Sequence, residues 1–181
     1  MTDILYRLGG KPGRYSRGHK VIMILYHGSD KPITVPSIPI SEIGREFGIG
    51  FYTYSEEAPA LRQAELAVKR AFLFDGSRPV VSRFHFDQER AERETRLLIL
   101  KDFDEIWLNF IFQCYTDIHF VHSYDIVIGN AVTAPVKEAL EQYRHKRADK
   151  AETISSLSAV IPVKQFCFTT VNALNYLQCI D

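Results

Sequence analysis

The sequence is poor in cysteine. It has three cysteines in 181 residues, Cys114, Cys167 and Cys179, and none of them belongs to a Cys-x-x-Cys pair. Three such residues cannot complete a disulfide framework. We therefore expect reduced thiols and a cytoplasmic location.

Long apolar runs and an excess of one charge are also missing. No stretch reaches the roughly 20 apolar residues that cross a bilayer, and the N-terminus lacks the apolar core of a secretory signal. We expect no membrane partner. The 22 Lys plus Arg residues are balanced by 22 Asp plus Glu residues, so the chain lacks the overall positive field of phosphate-binding proteins, and nucleic acid is disfavoured as a partner.

The first 22 residues differ from the rest, because glycine and basic residues crowd them without any apolar period. Such a segment buries too little surface to offset its ordering entropy, so we expect residues 1–22 to be loose. They either lie upstream of a natural start at Met23 or form an ordinary basic arm. Residues 23–181 are predicted to form a single domain, since a chain of this length supports one well-buried core.

The predicted helices and strands are mixed, without the regular alternation of a doubly wound sheet, and this favours the α+β class. Apolar residues at spacings of three and four predict the helix over 56–73, and β-branched runs predict buried strands. The predicted strands cover 21–27, 51–54, 79–86, 124–129 and 163–170, and the predicted helices cover 56–73, 104–116, 137–150 and 171–177.

The polar residues with chemical potential are ambiguous one at a time. A histidine at the end of a strand, as at His27, is more often structural than catalytic, and Tyr52 reads equally well as an aromatic of a half-buried strand. Gly48 and Gly50 fail both the dinucleotide and the phosphate-loop fingerprints. His119 and His122 lack a third metal ligand at suitable spacing, so no metal site is expected.

Three segments taken together are more informative. They are Tyr26-His27-Gly28-Ser29, then Phe47-Gly48-Ile49-Gly50-Phe51-Tyr52-Thr53, then Lys164-Gln165-Phe166-Cys167-Phe168. In this order they resemble the motifs of the ADP-ribosyltransferase-like superfamily, in the branch with a His-Tyr-Glu signature that includes diphtheria toxin and the poly(ADP-ribose) polymerases. The likeness is closest to an uncharacterised bacterial family of that branch, which has a similar helix at Trp107 and a similar strand over 124–129.

The resemblance implies a fold of two small β-sheets packed around an NAD cleft, with flanking helices. It also implies roles for the matching residues. His27 would orient the adenosine-side ribose, Gly28 and Gly50 would let the backbone approach the dinucleotide, and Ser29 would be a supporting donor. Tyr52 would stack on the nicotinamide ring. NAD would be a co-substrate, with His27, Tyr52 and Gln165 as the catalytic set.

The sequence departs from the branch at its third motif, where Gln165 stands in place of glutamate. An amide accepts a hydrogen bond from a ribose hydroxyl as a carboxylate does, but it stabilises a developing positive charge only weakly. Gln63 is a second departure, at a position where the polymerases carry another tyrosine. Gln165 in place of glutamate argues against chain elongation.

The function that the resemblance implies is therefore mono-ADP-ribosyl transfer from NAD to a macromolecular acceptor. A role as the toxin of a toxin–antitoxin pair, with an antitoxin protein as a partner, or as an effector, rests on analogy alone. Two alternatives remain open. One is NAD hydrolysis or transfer of an RNA 2′-phosphate to NAD, and the other is a catalytically silent NAD-binding or interaction module.

Overall fold

The structure, a computed structural model, describes residues 22–39, 45–71, 76–117 and 119–180. Within these ranges the chain forms seven strands and six helices. In chain order they are β1 Met23–Ser29, β2 Phe51–Tyr54, α1 Glu57–Arg70, β3 Val80–Phe86, α2 Gln88–Glu94, β4 Leu97–Ile99, α3 Glu105–Thr116, β5 Ile126–Asn130, α4 Ala134–Arg144, α5 Lys150–Leu157, β6 Lys164–Phe168, α6 Val171–Leu174 and β7 Leu177–Cys179.

All seven strands belong to one mixed sheet with the order β4-β5-β6-β2-β1-β3-β7. β4 and β5 are parallel, and the other neighbouring strands are antiparallel. Helices and strands do not alternate regularly along the chain. The predicted α+β class is confirmed.

The expectation of two separate sheets is corrected, because hydrogen bonds join all the strands into one. The joint is narrow, however. β1 and β2 pair only at Tyr26 and Tyr54, whereas β1 pairs with β3 over its whole length and β2 pairs with β6 over four residues. The sheet therefore consists of two halves, the antiparallel β1-β3-β7 and the mixed β2-β6-β5-β4, which separate beyond one residue pair.

The sheet curls so that these two halves pack against each other. The ring of Phe86 on β3 lies edge-on to Phe166 and Phe168 on β6, with centroids 5.8 and 5.3 Å apart, although β1 and β2 stand between those strands in the sheet. Leu25, Phe84 and Ile126 belong to the same buried cluster. Burial of these large rings is the main stabilising contribution on this face.

Helices cover the other face of the sheet. Trp107, Ile111, Leu140 and Leu157 from α3, α4 and α5 form a second buried cluster with Val127 and Cys167 of the sheet. The helix α1 packs directly on β1, where Ala60 and Ala64 are fully buried. Side chains alternate between the two faces of a strand, so Tyr52 and Tyr54 point to the helix-covered face while Phe51 points to the phenylalanine-rich one.

Two predicted helix boundaries are wrong. The helix predicted over 137–150 is observed as α4, which ends at Arg144 because Lys146 adopts a left-handed backbone with φ of 57°. A separate helix, α5, begins at Lys150, where Asp149 forms a capping box with Glu152. The helix predicted over 171–177 ends at Leu174, and the strand β7 follows it.

The expectation for residues 1–22 lies, apart from Ile22, outside the described residues. None of the helices in the described part of the chain is long and apolar enough to cross a membrane.

Candidate functional site

A cavity of about 430 Å³ lies where the two halves of the sheet separate. Its walls are the end of β1, the start of β2 and one side of α1. Of the predicted site residues, His27, Gly28, Ser29, Gly50 and Tyr52 line this cavity. The fold thus brings five residues from two distant segments of the chain to one cleft, of a volume typical for small-molecule sites.

His27 lies at the end of β1, next to the point where the two halves of the sheet separate, and its side chain contacts β2. Its Nδ1 lies 2.7 Å from the backbone carbonyl oxygen of Tyr52, so Nδ1 is the protonated nitrogen in that bond, and it donates. The ring stacks on Phe51 at a centroid distance of 4.2 Å. The imidazole bridges β1 and β2 where the backbone ladder between them has ended.

The glycine at position 28 is needed for packing. A Cβ atom on Gly28 would lie 1.8 Å from the carbonyl oxygen of Ala60 and 2.7 Å from the nitrogen of Ala64, so the helix α1 rests directly on this residue. Gly50 is similarly crowded, since a Cβ there would lie 2.5 Å from the sulfur of Cys167. Close packing therefore requires glycine at both positions, and both residues line the cavity.

Ser29 is buried, and its hydroxyl donates to the carbonyl oxygen of Lys31 at 2.6 Å. Its proton is therefore engaged in a local turn. The oxygen retains lone pairs that can accept a further hydrogen bond. Ser29 is thus better suited to accept from a ligand than to donate to it, which refines the expected role.

Two backbone groups hold the hydroxyl of Tyr52 in place. The hydroxyl donates to the carbonyl oxygen of Gly48 at 2.6 Å and accepts from the backbone nitrogen of Phe47 at 3.0 Å. Gly48 has a φ of 82°, which favours glycine at this turn. Burial raises the pKa of Tyr52 well above its ordinary value, with smaller contributions from Cys167 and Glu46, so the phenol stays neutral and is unsuited to act as a base.

Gln165 does not line the cavity. It is fully buried on β6, opposite Tyr54 on β2 and Gly129 on β5, and its Nε2 donates to the hydroxyl oxygen of Tyr54 at 3.0 Å. Its Oε1 is buried without a hydrogen-bond partner among the described residues. By the strand register Gln165 and Tyr52 share a sheet face as diagonal neighbours, about 7–8 Å apart in such sheets.

Sequence reasoning missed the charged residues of the cleft. Arg45 and Arg70 line the cavity together with Asp30, and the carbon Cζ of Arg45 lies 4.1 Å from the centroid of the Tyr52 ring. Gln63 also lines the cavity, from α1. The spacing of Gln63 and Arg70 along α1 could have suggested a shared face, but no pattern in the sequence marks Arg45.

His119 and His122, considered as metal ligands, are not brought together with further ligands. The Nε2 of His122 lies 2.9 Å from the carbonyl oxygen of Phe47 and so holds the loop before Tyr52. Among the described residues, no three His, Cys, Asp or Glu side chains cluster as a metal site requires. His122 thus has a structural task next to the site.

Comparison with known proteins places the chain in a family. The sequence model of the family described as "Protein of unknown function (DUF3990)" matches residues 23–179, which is most of the chain. The chain belongs to this family. No curated protein and no solved structure matches it.

The family match spans every strand and helix described above, from β1 to β7. It agrees with the expectation of an uncharacterised domain. The description of the family assigns no activity, so the function has to be argued from the cleft itself.

Proposed function

We propose that this domain binds NAD in the cleft between β1 and β2 and transfers its ADP-ribose to a macromolecular acceptor. The convergence of His27, Gly28, Ser29, Gly50 and Tyr52 on one cavity carries the proposal. These residues come from two of the three segments that resemble the ADP-ribosyltransferase-like superfamily. The narrow joint between the sheet halves also accords with a fold in which two β-layers enclose the substrate.

The environment of the cleft suits a dinucleotide. Two arginines, Arg45 and Arg70, line it together with Asp30. A diphosphate is the part of NAD that an arginine of the cleft would bind. The ring of Tyr52, although nearly buried, lines the cleft and is the surface proposed for the nicotinamide ring. His27 and Ser29 provide polar atoms for the ribose hydroxyls.

In the proposed reaction the bond between ribose C1′ and the nicotinamide nitrogen breaks, and its electron pair leaves with neutral nicotinamide. The ribose passes through an oxocarbenium-like state before a nucleophilic atom of the acceptor forms the new bond at C1′ and releases its proton. The protein contributes mainly position and electrostatic stabilisation. The buried Oε1 of Gln165 has no hydrogen-bond partner in the described part of the chain. It would accept from the ribose 2′-hydroxyl only if Gln165 becomes exposed to the cavity when NAD binds.

Gln165 also favours a second candidate function, a catalytically silent NAD-binding module. Its amide is completely buried, donates to Tyr54 and does not reach the cavity surface. It carries no charge that could stabilise the transition state. A cleft that binds NAD without cleaving it would need no more than the residues that line it.

Labelled NAD separates these functions. The purified protein is incubated with NAD labelled in the adenylate moiety, alone and with a cell lysate, and both nicotinamide release and the fate of the label are measured. Label on macromolecules supports the proposal, and free labelled ADP-ribose indicates NAD hydrolysis. A 2′-phosphorylated RNA in place of the lysate tests phosphate transfer. Binding of NAD with release at the uncatalysed rate in every mixture would instead establish the silent module.

A further inference from the structure

The ring of Tyr52 has two flat neighbours. Phe47 lies nearly parallel to it, with an interplanar angle of 11° and a centroid distance of 6.3 Å. The planar guanidinium of Arg45 lies over the ring, with its carbon Cζ 4.1 Å from the ring centroid. Both Arg45 and Tyr52 line the cleft. The ring face proposed for nicotinamide is thus the face that a planar cation of the protein covers.

A carboxylate stands beside this cation. Glu46 Oε2 lies 3.6 Å from Arg45 Nε, and the side chains of Arg45 and Glu46 are only 21% and 12% exposed. Carboxylates so little exposed to water are costly unless a cation faces them. The charge of Glu46 also contributes to the raised pKa values of both Tyr52 and Tyr54, the tyrosine bonded to Gln165. The contact with Arg45, whose guanidinium lies over the Tyr52 ring, places this carboxylate near Tyr52.

We propose that Tyr52 and Glu46 form a seat for a planar cation, which Arg45 occupies in this structure and which the positively charged ring of NAD takes in its place. Glu46 then supplies the negative charge that Gln165 lacks. This inference rests on the proposed function. It assigns Arg45 as the residue that the substrate displaces. Glu46 contacts Arg45 and does not itself line the cavity, and it becomes a further catalytic residue once the ring has taken the place of Arg45.

The chemistry of NAD fits such a seat. Its nicotinamide ring is planar and positively charged, as a guanidinium is, and both stack favourably on the face of a tyrosine. When the bond to C1′ breaks, the positive charge moves from the ring towards the ribose. A carboxylate within a few ångströms stabilises that charge more strongly in a partly closed cleft than it would in water. Arg45 lines the cleft and is partly exposed, so the proposal requires it to turn outwards when the ring enters.

Two small probes that differ in charge test the seat directly. Nicotinamide is neutral, whereas N1-methylnicotinamide carries a fixed positive charge on nearly the same ring. In NMR titrations we expect Arg45→Ala to bind the methylated cation several-fold more tightly than the wild type does. On that background, Glu46→Gln should weaken the cation about tenfold and change nicotinamide less than about twofold, because one charge interaction is lost.

Turnover gives a second readout. In single-turnover reactions with NAD, Glu46→Gln should release nicotinamide at least tenfold more slowly, while Glu46→Asp should recover part of the rate. Glu65→Gln, at an exposed position of α1, is the matched control and should behave as the wild type. Thermal melts check that every variant keeps its fold. The affinity for ADP-ribose, which lacks the nicotinamide ring, should be the same in all of them.

The outcomes separate the two proposals. If ADP-ribose and NAD bind but Glu46→Gln leaves both the preference for the cation and the release rate unaltered, the seat is refuted and the NAD cleft stands. If the methylated cation binds in a Glu46-dependent manner while ADP-ribose and NAD fail to bind, the seat stands and the proposed function falls. Absence of cation binding in both the wild type and Arg45→Ala refutes the seat.

Discussion

The imidazole of His27 hydrogen-bonds the backbone carbonyl of Tyr52 at 2.7 Å, at the point where the two halves of the sheet separate. One residue earlier, Tyr26 still pairs with Tyr54 through the backbone. A side chain thus continues the connection between β1 and β2 after the ladder stops, and the cleft opens beside it. His27 and Tyr52, both predicted to bind NAD, are thus joined by a hydrogen bond.

This link predicts a difference between two substitutions. His27→Ala removes the donor to the Tyr52 carbonyl and should lower the free energy of unfolding by about 0.5–1.5 kcal/mol. His27→Asn places an amide nitrogen near the position of Nδ1 and should retain much of that stability. Both variants lose the ring and should bind NAD more weakly. Urea denaturation and NAD titration of the pair check this, and an Ala variant as stable as the wild type would contradict the link.

The hydroxyl of Tyr52 predicts a stability effect that is distinct from stacking. Tyr52→Phe leaves the Phe47 nitrogen and the Gly48 carbonyl without their hydroxyl partner. Buried polar groups that lose a partner cost about 1–3 kcal/mol, so the melting temperature should fall. The ring remains, so affinity for NAD should change far less than the stability does. An unchanged melting temperature would show that water replaces the hydroxyl.

Replacement of Gln165 by glutamate tests the third motif. If Gln165 positions the ribose 2′-hydroxyl, Gln165→Glu should leave NAD affinity nearly unchanged and raise single-turnover nicotinamide release, because the charge acts mainly on the oxocarbenium-like state. A tenfold gain corresponds to about 1.4 kcal/mol. Because the site is fully buried, the variant should also lose stability as the pH rises above the ordinary range of a carboxyl group.

Gln165→Ala is the companion variant and should lower the release rate while NAD still binds. The three proteins are compared under identical single-turnover conditions. Should all of them bind NAD and release nicotinamide at the uncatalysed rate, the silent module replaces the enzyme.

Asp125 predicts a pH-dependent contribution to stability. Hydrogen bonding to Arg96 lowers its pKa to about 2, with help from Thr170. Because the pKa is lower in the folded state, the ionised Asp125 stabilises the fold at pH values above about 3.9, the pKa of aspartate in the unfolded chain. This contribution disappears as the pH falls through about 2. Asp125→Asn should therefore be less stable than the wild type near neutral pH, with the difference shrinking below about pH 4. Urea denaturation across this range checks it, with Glu89→Gln on the exposed side of α2 as a control.

Helices and strands are predicted best where the apolar residues recur at a regular spacing within one short segment. The helix expected over 56–73 is observed as Glu57–Arg70, and the strand expected over 79–86 as Val80–Phe86. The break between α4 and α5 escaped prediction because a continuous charged pattern runs across it. The Asp149-x-x-Glu152 capping box was nevertheless a readable signal for the start of α5.

The residues of the candidate site likewise fall into those that the sequence predicts and those that it does not. Residues next to strand ends, such as His27 and Tyr52, could be singled out because their strands were recognisable and their motifs were familiar. The position of Arg45 over Tyr52 could not be predicted, because it depends on how the loop before β2 folds back and not on any periodic pattern. The burial of Gln165 next to Tyr54 depends on the pairing of two strands whose residues are 111 positions apart in the chain, and no local pattern reveals such a pairing.

Calorimetric titration with NAD, comparing the wild type with Tyr52→Ala, tests the central claim most directly. The account predicts saturable binding of one NAD per chain by the wild type. Tyr52→Ala should bind more weakly by about 1–3 kcal/mol, because the stacking surface in the cleft is lost. Equal affinities of the two proteins would contradict the stacking role, and the absence of NAD binding by the folded wild-type protein would contradict the NAD cleft itself.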